Sequence, residues 1–347
     1  MVSGNMHKKI EKLHRKYGPA VRVGPDHLAL DGSIAWPEVF KFKKGGAEFG
    51  KVENYLFEND KLGIIAAPKD VHRRQRRQLS HAFSDAALRE QEAVINKYLD
   101  LLIQCLTEKS ASNESFNIVD WLNFLTFDII GHLTYSESFH CLDDKGYHPW
   151  VLQFFDGVRG ESYRRFFSAF PFAKEIVTAF NLNDSMKKGN DHKSYIVEKA
   201  AERMHKDDDA DKGYRDFMTY MLRKNSDGVL GFTKKEIFAT MPLIIGAGSE
   251  TTAATMSALI FYLGTHPNVY KNLIGEIRST FAREEDITLK STRQLKYLHA
   301  CLEETLRIYP PVNETPPRRC PGATITERYV PAEASRCLSS NMSTLLT

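Results

Sequence analysis

The chain has 347 residues, of which 42% are hydrophobic and 26% charged, as expected of a globular protein with a substantial core. The 47 lysine and arginine residues nearly balance the 44 aspartate and glutamate residues, and the net charge of +3 is too small to indicate a nucleic-acid partner. The five cysteines are odd in number and form no CxxC pair, which argues against a disulfide framework and a structural metal site. Composition therefore predicts a globular protein with reduced thiols.

The N-terminal part of the sequence predicts a small sheet. Residues 1–18 are basic and polar and predict neither a signal sequence nor a membrane anchor. Residues 20–30 alternate apolar and polar side chains around Gly24 and Pro25, which predicts two short strands joined by a turn. Residues 34–70 are rich in glycine and predict a short helix followed by a long loop.

A basic helical segment follows at residues 70–87. His72 and Arg76 are four residues apart, so they share a helix face on which they could hold an anion together. The alternative is a solvated basic helix surface. A nucleic-acid interface is disfavoured because no aromatic residues for base stacking are interleaved with the charges.

Apolar residues recur at helical spacing over residues 90–108 and 116–135, which predicts two core helices. In the second, Asp128 and His132 are spaced as a structural hydrogen-bonding pair. Residues 146–182 are aromatic-rich and could cover a pocket.

Residues 236–264 form an almost wholly apolar segment with a polar centre. Thr233 and Glu236 have the spacing of a capping box, and His266-Pro267 marks the end of the predicted helix. The charge in its middle argues against a transmembrane span and favours a functional helix buried inside a large domain. A buried carboxylate at Glu250 would cost several kcal/mol unless it is paired, hydrated or protonated.

Another helix is predicted to end at Pro310-Pro311, with a buried stripe formed by Leu295, Leu298, Leu302, Leu306 and Tyr309. Glu304 and Arg307 lie off this stripe. Their i, i+3 spacing allows a charge-assisted pair.

Three motifs in this order and spacing resemble those of the cytochromes P-450: HRRQR at 72–76, AGSETT at 247–252 and ETLR at 304–307. The segments YGPAVRVGP at 17–25 and LHACLEETLRIYPPV at 298–312 are similar to sequences of fungal microsomal members of this family that act in secondary metabolism. The resemblance implies a mainly helical fold with a small β-sheet. It also implies a haem-dependent monooxygenase that oxidises a small apolar substrate.

The resemblance implies roles for the polar centre of the apolar helix. Gly248 would belong to a small-residue step over the haem. Glu250 and Thr251 would be the acid and alcohol that deliver protons during dioxygen activation.

Further roles implied by the resemblance concern haem binding and the core. His72, Arg76 and Arg318 would bind haem propionates. Glu304 and Arg307 would form a structural ion pair.

The same resemblance implies an NADPH-dependent reductase as electron donor. It implies a location on the cytosolic face of the endoplasmic reticulum membrane, although without an anchor the chain is expected in the cytoplasm. Residues 51–65, the segment near Phe166 and the residues after Pro311 would line the substrate pocket.

The expected cysteine loop that ligates the haem iron is not found. Arg318 to Gly322 imitates the end of that loop, but Asn313 and Pro316 stand where a phenylalanine and a glycine are expected, so Cys320 is not predicted to bind iron. Residues 1–335 are interpreted as the central part of one cytochrome P-450 domain incomplete at the C-terminus, and residues 336–347 as a divergent tail. Two alternatives to the monooxygenase stay open: a haem-free, inactive remnant and a hydrophobic-ligand-binding protein.

Overall fold

In the computed structural model of the protein, helices dominate, and the mainly helical fold predicted from the sequence is confirmed. The description covers residues 5–41, 48–52, 61–112, 115–157, 195–205, 213–224, 228, 230–313, 315–325, 328–331 and 336–339. Two of the segments expected to line the substrate pocket fall partly or wholly outside these residues, namely residues 53–60 and the segment near Phe166.

The helices in chain order are α1 (Met6–Tyr17), α2 (Gly32–Ala35), α3 (Lys69–Ser80), α4 (Asp85–Ala111), α5 (Ile118–Tyr135), α6 (149–157), α7 (195–205), α8 (Phe217–Leu222), α9 (Lys234–Thr265), α10 (Pro267–Thr280) and α11 (Lys296–Ile308). The strands are β1 (Ala20–Gly24), β2 (His27–Leu30), β3 (Gly50–Lys51), β4 (Arg318–Arg319), β5 (Ala323–Ile325), β6 (Arg328–Val330) and β7 (Arg336–Ser339). A π-helical turn at Trp36–Phe40 follows α2.

One compact unit comprises the described parts of residues 1–59 and 304–347. Its five-stranded sheet has the order β1-β2-β7-β4-β3, and the predicted hairpin of β1 and β2 is confirmed. Strand β7 pairs in parallel with β2 and antiparallel with β4, so residues 336–339, predicted to lie in a divergent tail, are part of the sheet. A small hydrophobic core built on Leu30 and Phe49 lies against these strands.

The second compact unit comprises the described parts of residues 60–161 and 170–303 and is helical. Its core is built around α5, where Trp121, Leu125 and Phe127 are buried. The predicted helix at 116–135 is confirmed, and it packs along α9 and α4.

Helix α9 has the predicted start and end. Thr233 accepts a hydrogen bond from the backbone N–H of Glu236, and the Glu236 carboxylate accepts one from the backbone N–H of Thr233. This closes the predicted capping box. The helix ends at Thr265, immediately before His266 and Pro267, because proline cannot continue the preceding hydrogen-bond pattern.

The expectation that α9 is buried on all sides is wrong. Its buried residues include Met241, Ile245, Ser249 and Ala253, which lie toward one side of the helix, whereas Glu250 is exposed. The length and apolar composition of α9 would also allow it to cross a membrane, but core helices of soluble proteins can have the same length and composition.

Helix α11 begins on a carboxylate supplied by α10. Glu276 accepts hydrogen bonds from the backbone N–H groups of Tyr297 (2.8 Å) and Leu298 (3.0 Å), which have no partner within their own helix. The predicted buried stripe of this helix is wrong at its C-terminal end, where Leu306 is 43% exposed and Tyr309 is 55% exposed. Apolar spacing predicted the helix, but no described element covers that end.

Candidate functional site

The polar centre of α9 has a regular pattern of hydroxyl contacts. The Thr251 hydroxyl donates to the carbonyl oxygen of Ala247 at 2.6 Å, and the Thr252 hydroxyl donates to that of Gly248 at 2.8 Å. A threonine that bonds back to the preceding turn keeps its hydroxyl in one orientation and leaves the oxygen able to accept another hydrogen bond. Thr251 therefore presents a fixed acceptor beside Glu250.

Glu250 is the acid at this centre. Although the residue is exposed, neighbouring protein atoms partly desolvate its carboxylate, and this raises the pKa above the ordinary glutamate value. Among the described residues, no lysine, arginine or histidine lies within ion-pair distance of it, so no nearby cation opposes this shift. A glutamate whose pKa is raised holds its proton more firmly than an ordinary glutamate, as a proton-donating group must.

Ala247 and Thr251 lie on the side of α9 that points away from the buried residue Ile245, because successive residues are about 100° apart around a helix. Gly248 is turned toward α5 instead. A Cβ atom at Gly248 would lie 2.9 Å from Cδ1 of Ile130, the flexible end of a side chain that can move aside. The contact with α5 therefore does not by itself require glycine at this position.

The two basic residues predicted to hold an anion share one face of α3. Arg76 is exposed and His72 is half-buried. The helix is fixed from its other sides: the amide nitrogen of Gln75 donates to the Leu62 carbonyl at 2.8 Å, and that of Gln78 donates to the Tyr220 carbonyl at 2.7 Å. His72 and Arg76 therefore project from an anchored helix.

Arg318 has a neighbour that sequence reasoning missed. In the antiparallel pair of β3 and β4, Lys51 lies directly opposite Arg318, and the guanidinium of Arg318 lies 5.7 Å from the ring centre of Phe40. Burial, aided by the charge of Arg318, lowers the pKa of Lys51 to about 8. Burial likewise lowers the pKa of Arg318.

Like charges placed opposite each other in a sheet are destabilising, and an anion between them would reverse that effect. The negative charge of Glu48 acts on Arg318 and opposes the lowering of its pKa, so it offsets part of this repulsion. No motif marks Lys51 in the sequence, because its position is set by a strand pairing across more than 260 residues.

Glu304 and Arg307 form the pair expected from their spacing. The guanidinium Nε and Nη2 atoms of Arg307 donate to the two carboxylate oxygens of Glu304, each at 2.6 Å. The hydrogen bond from Arg307 lowers the pKa of Glu304. The Glu304 side chain is 54% exposed, so solvent screens this pair.

Four of the five cysteines are buried, and Cys301 is half-buried. The Cys320 thiol donates to the Val330 carbonyl within the small hydrophobic core of the sheet unit. Burial raises the pKa of both Cys141 and Cys337 to about 12, which favours the thiol over the thiolate. Within the part of the chain that the structure describes, no group of three or more metal-ligating side chains occurs.

Comparison with known proteins defines the class. The sequence model of the cytochrome P450 family matches residues 1–335, and the chain belongs to that family. A crystal structure of a cytochrome P450, CYP102L1, superposes with a TM-score of 0.79 over 98% of this chain and 77% of that one, at 18% identity, and supports the fold.

Several fungal proteins are similar over most of the chain. The cytochrome P450 monooxygenase astJ of Aspergillus oryzae is 34% identical over 339 residues, which cover 96% of this chain and 67% of astJ. The cytochrome P450 monooxygenase aba2 of Botryotinia fuckeliana is 33% identical over 345 residues, which cover 96% of this chain and 65% of aba2. The chain thus spans about two thirds of the length of these relatives.

The family implies a haem, and the donor groups present fit its carboxylates. In the helical unit, His72 and Arg76 on α3 provide such donors, and in the sheet unit, taken by itself, Arg318 lies opposite Lys51. Carboxylates bind most strongly to such charged donors. This fit concerns the haem propionates, since Asn313 and Pro316 stand where the loop of the iron-binding cysteine has a phenylalanine and a glycine.

Proposed function

We propose that the chain contains the residues for dioxygen activation of a haem-dependent monooxygenase that oxidises a small apolar substrate. The observation that carries the proposal is the fixed Thr251 hydroxyl beside an acid, Glu250, whose pKa is raised. When bound, the haem supplies the redox centre at which dioxygen is reduced.

The residues of this chain then divide the work. Glu250 holds a proton at its carboxyl group and exchanges it with solvent. The Thr251 hydroxyl oxygen accepts a hydrogen bond and so takes part in transferring that proton. His72, Arg76 and Arg318 would bind the haem propionates. Gly248 keeps the helix surface near the haem free of a side chain.

In this proposal, electrons come from an NADPH-dependent reductase. The protein acts on the cytosolic face of the endoplasmic reticulum membrane. The fungal relatives support a substrate from secondary metabolism. Glu304 and Arg307 keep a structural role.

A change of Thr251 to alanine tests the proton-delivery role. We expect the haem-loaded chain, supplied with reductase and NADPH, to lose about tenfold or more of its product per NADPH and to release peroxide instead. Thr252→Ala is the matched control, because it removes a neighbouring hydroxyl with the same type of back-bond. Unchanged coupling in Thr251→Ala would refute the assigned role.

The residues Asn313 and Pro316, which do not match the expected cysteine loop, favour a second candidate, a haem-free and catalytically inactive protein. The carbon monoxide difference spectrum of the reduced, haem-supplied chain separates the two. A thiolate-type band supports the monooxygenase and means that one of the cysteines binds the iron. A band of nitrogen-ligated type, or none, supports the inactive protein.

A further inference from the structure

One of the arginines in the basic run of α3 is partly buried and makes hydrogen bonds to other parts of the protein. Arg74 extends toward the start of α9, where its Nη2 atom donates to Oε1 of Glu236 at 2.6 Å and its Nη1 atom donates to Oε2 at 3.1 Å. Nη1 also donates to the carbonyl of Gly231 at 2.5 Å. Three hydrogen bonds therefore fix the planar guanidinium in position and in orientation.

The acceptor of this contact is itself held rigidly. The Glu236 side chain is only 6% exposed, and its Oε2 atom also accepts the backbone N–H of Thr233 in the capping box. Burial opposes ionisation of Glu236, but the hydrogen bonds from Arg74 and Thr233 outweigh it, and its pKa lies below the ordinary value. The carboxylate is thus ionised and oriented at the first turn of α9.

The position of Arg74 on α3 matters for the basic face of that helix. At about 100° per residue, Arg74 lies about 160° around the helix axis from His72 and also from Arg76, and these two residues are about 40° apart. A contact on this side of the helix prevents rotation about the helix axis. The face that carries His72 and Arg76 is therefore held in one direction.

We propose that Arg74 is a positioning residue, which fixes the rotation of α3 through Glu236 so that His72 and Arg76 meet the carboxylates of the bound haem. This inference rests on the proposed function. The same contact ties α3 to the helix that carries Glu250 and Thr251, so one ion pair relates the anion-binding residues to the proton-delivery residues.

The neighbouring arginines provide matched controls. Arg73 and Arg77 are exposed residues of the same helix, and changing either to glutamine also removes one positive charge. Arg74→Lys keeps the charge but replaces the planar fork with a single ammonium, so it should retain part of the positioning effect. Glu236→Gln removes the partner charge and leaves Arg74 in place.

The experiment titrates the haem-free full chain with haemin and, in parallel, with haemin dimethyl ester, which lacks free carboxylates. Absorbance gives the affinity, and circular dichroism gives the folded fraction of each variant. We expect Arg74→Gln to bind haemin about tenfold more weakly than Arg73→Gln and Arg77→Gln, as is typical when a partner that orients a ligand-binding residue is removed. Arg74→Gln should match these controls for the ester, and Arg74→Lys should fall between.

Each outcome is decisive. Equal losses for haemin and its ester mean that Arg74 only stabilises the fold, and they overturn the inference. Haemin binding by Arg74→Gln at the level of the controls also overturns it while the proposed function stands. Absence of haemin binding by the unmodified chain refutes the proposed function and the inference with it. If Arg74→Gln fails to fold, the comparison of Arg74→Lys and Glu236→Gln with the controls gives the same decision.

Discussion

The buried ion pair between Asp216 and Arg203 is a contact at which removal of one partner should be costly, because the other charge would remain buried without compensation. The carboxylate of Asp216 accepts from Arg203 Nε at 2.5 Å, from Ser136 Oγ at 2.7 Å, and from the backbone N–H and hydroxyl of Thr219, each at 2.8 Å. The Asp216 side chain is 0% exposed and that of Arg203 is 4% exposed. The carboxylate also caps the start of α8.

Asp216→Asn removes the negative charge with little change of shape and leaves Arg203 buried without its counter-charge. Breaking a buried pair by removing one partner costs about 3–5 kcal/mol. The N-cap contribution of about 1 kcal/mol is not added, because asparagine also caps helices well and the contacts share one carboxylate. We therefore expect a loss of about 3–5 kcal/mol in the free energy of unfolding.

Urea unfolding followed by circular dichroism measures this loss as a lower midpoint at an unchanged slope. Asp100→Asn is the control, because it makes the same chemical change at an exposed position of α4. A loss below about 1 kcal/mol for Asp216→Asn would show that Arg203 finds another arrangement and that the reasoning from burial is wrong.

Two further predictions concern α9. The pKa of Glu236 is lowered in the folded chain, so its ionisation stabilises the fold above the unfolded-state pKa, and this stabilisation disappears as the pH falls through the folded-state pKa. On the acid side of neutrality, the urea midpoint should therefore decrease more steeply with falling pH for the unmodified chain than for Glu236→Gln. Parallel curves of midpoint against pH would contradict this. Gly246→Ala should destabilise by about 1–3 kcal/mol because its Cβ would lie 2.2 Å from the Phe154 ring, whereas Gly248→Ala should be nearly neutral because the flexible tip of Ile130 can move and alanine favours the helix. Equal urea midpoints for the two glycine variants would contradict the packing argument.

Local patterns in the sequence predicted the elements that local physics determines. The alternation at residues 20–30 predicted the hairpin, and Thr233, Glu236 and His266-Pro267 predicted both ends of α9. The i, i+3 spacing of Glu304 and Arg307 matches a bidentate pair in the structure. Each of these signals acts over a few residues, so no knowledge of distant contacts is needed.

The spacing of apolar residues did not predict which helix faces are covered. The stripe on α11 was expected to be buried, yet Leu306 and Tyr309 are exposed, and Glu250 on α9 is exposed as well. Periodicity shows which side chains share a face, but burial depends on whether another element packs there.

The sequence by itself determined the family, the helical class and the polar centre at Glu250 and Thr251, because these are written in motifs and local spacing. Only the tertiary structure placed Lys51 opposite Arg318, paired Asp216 with Arg203, and turned Arg74 toward Glu236. These contacts join residues far apart in the chain or choose one arginine among equivalent neighbours. The physical reason is that a charged side chain is fixed by the groups that surround it after folding, and a run of similar residues does not show which of them is enclosed.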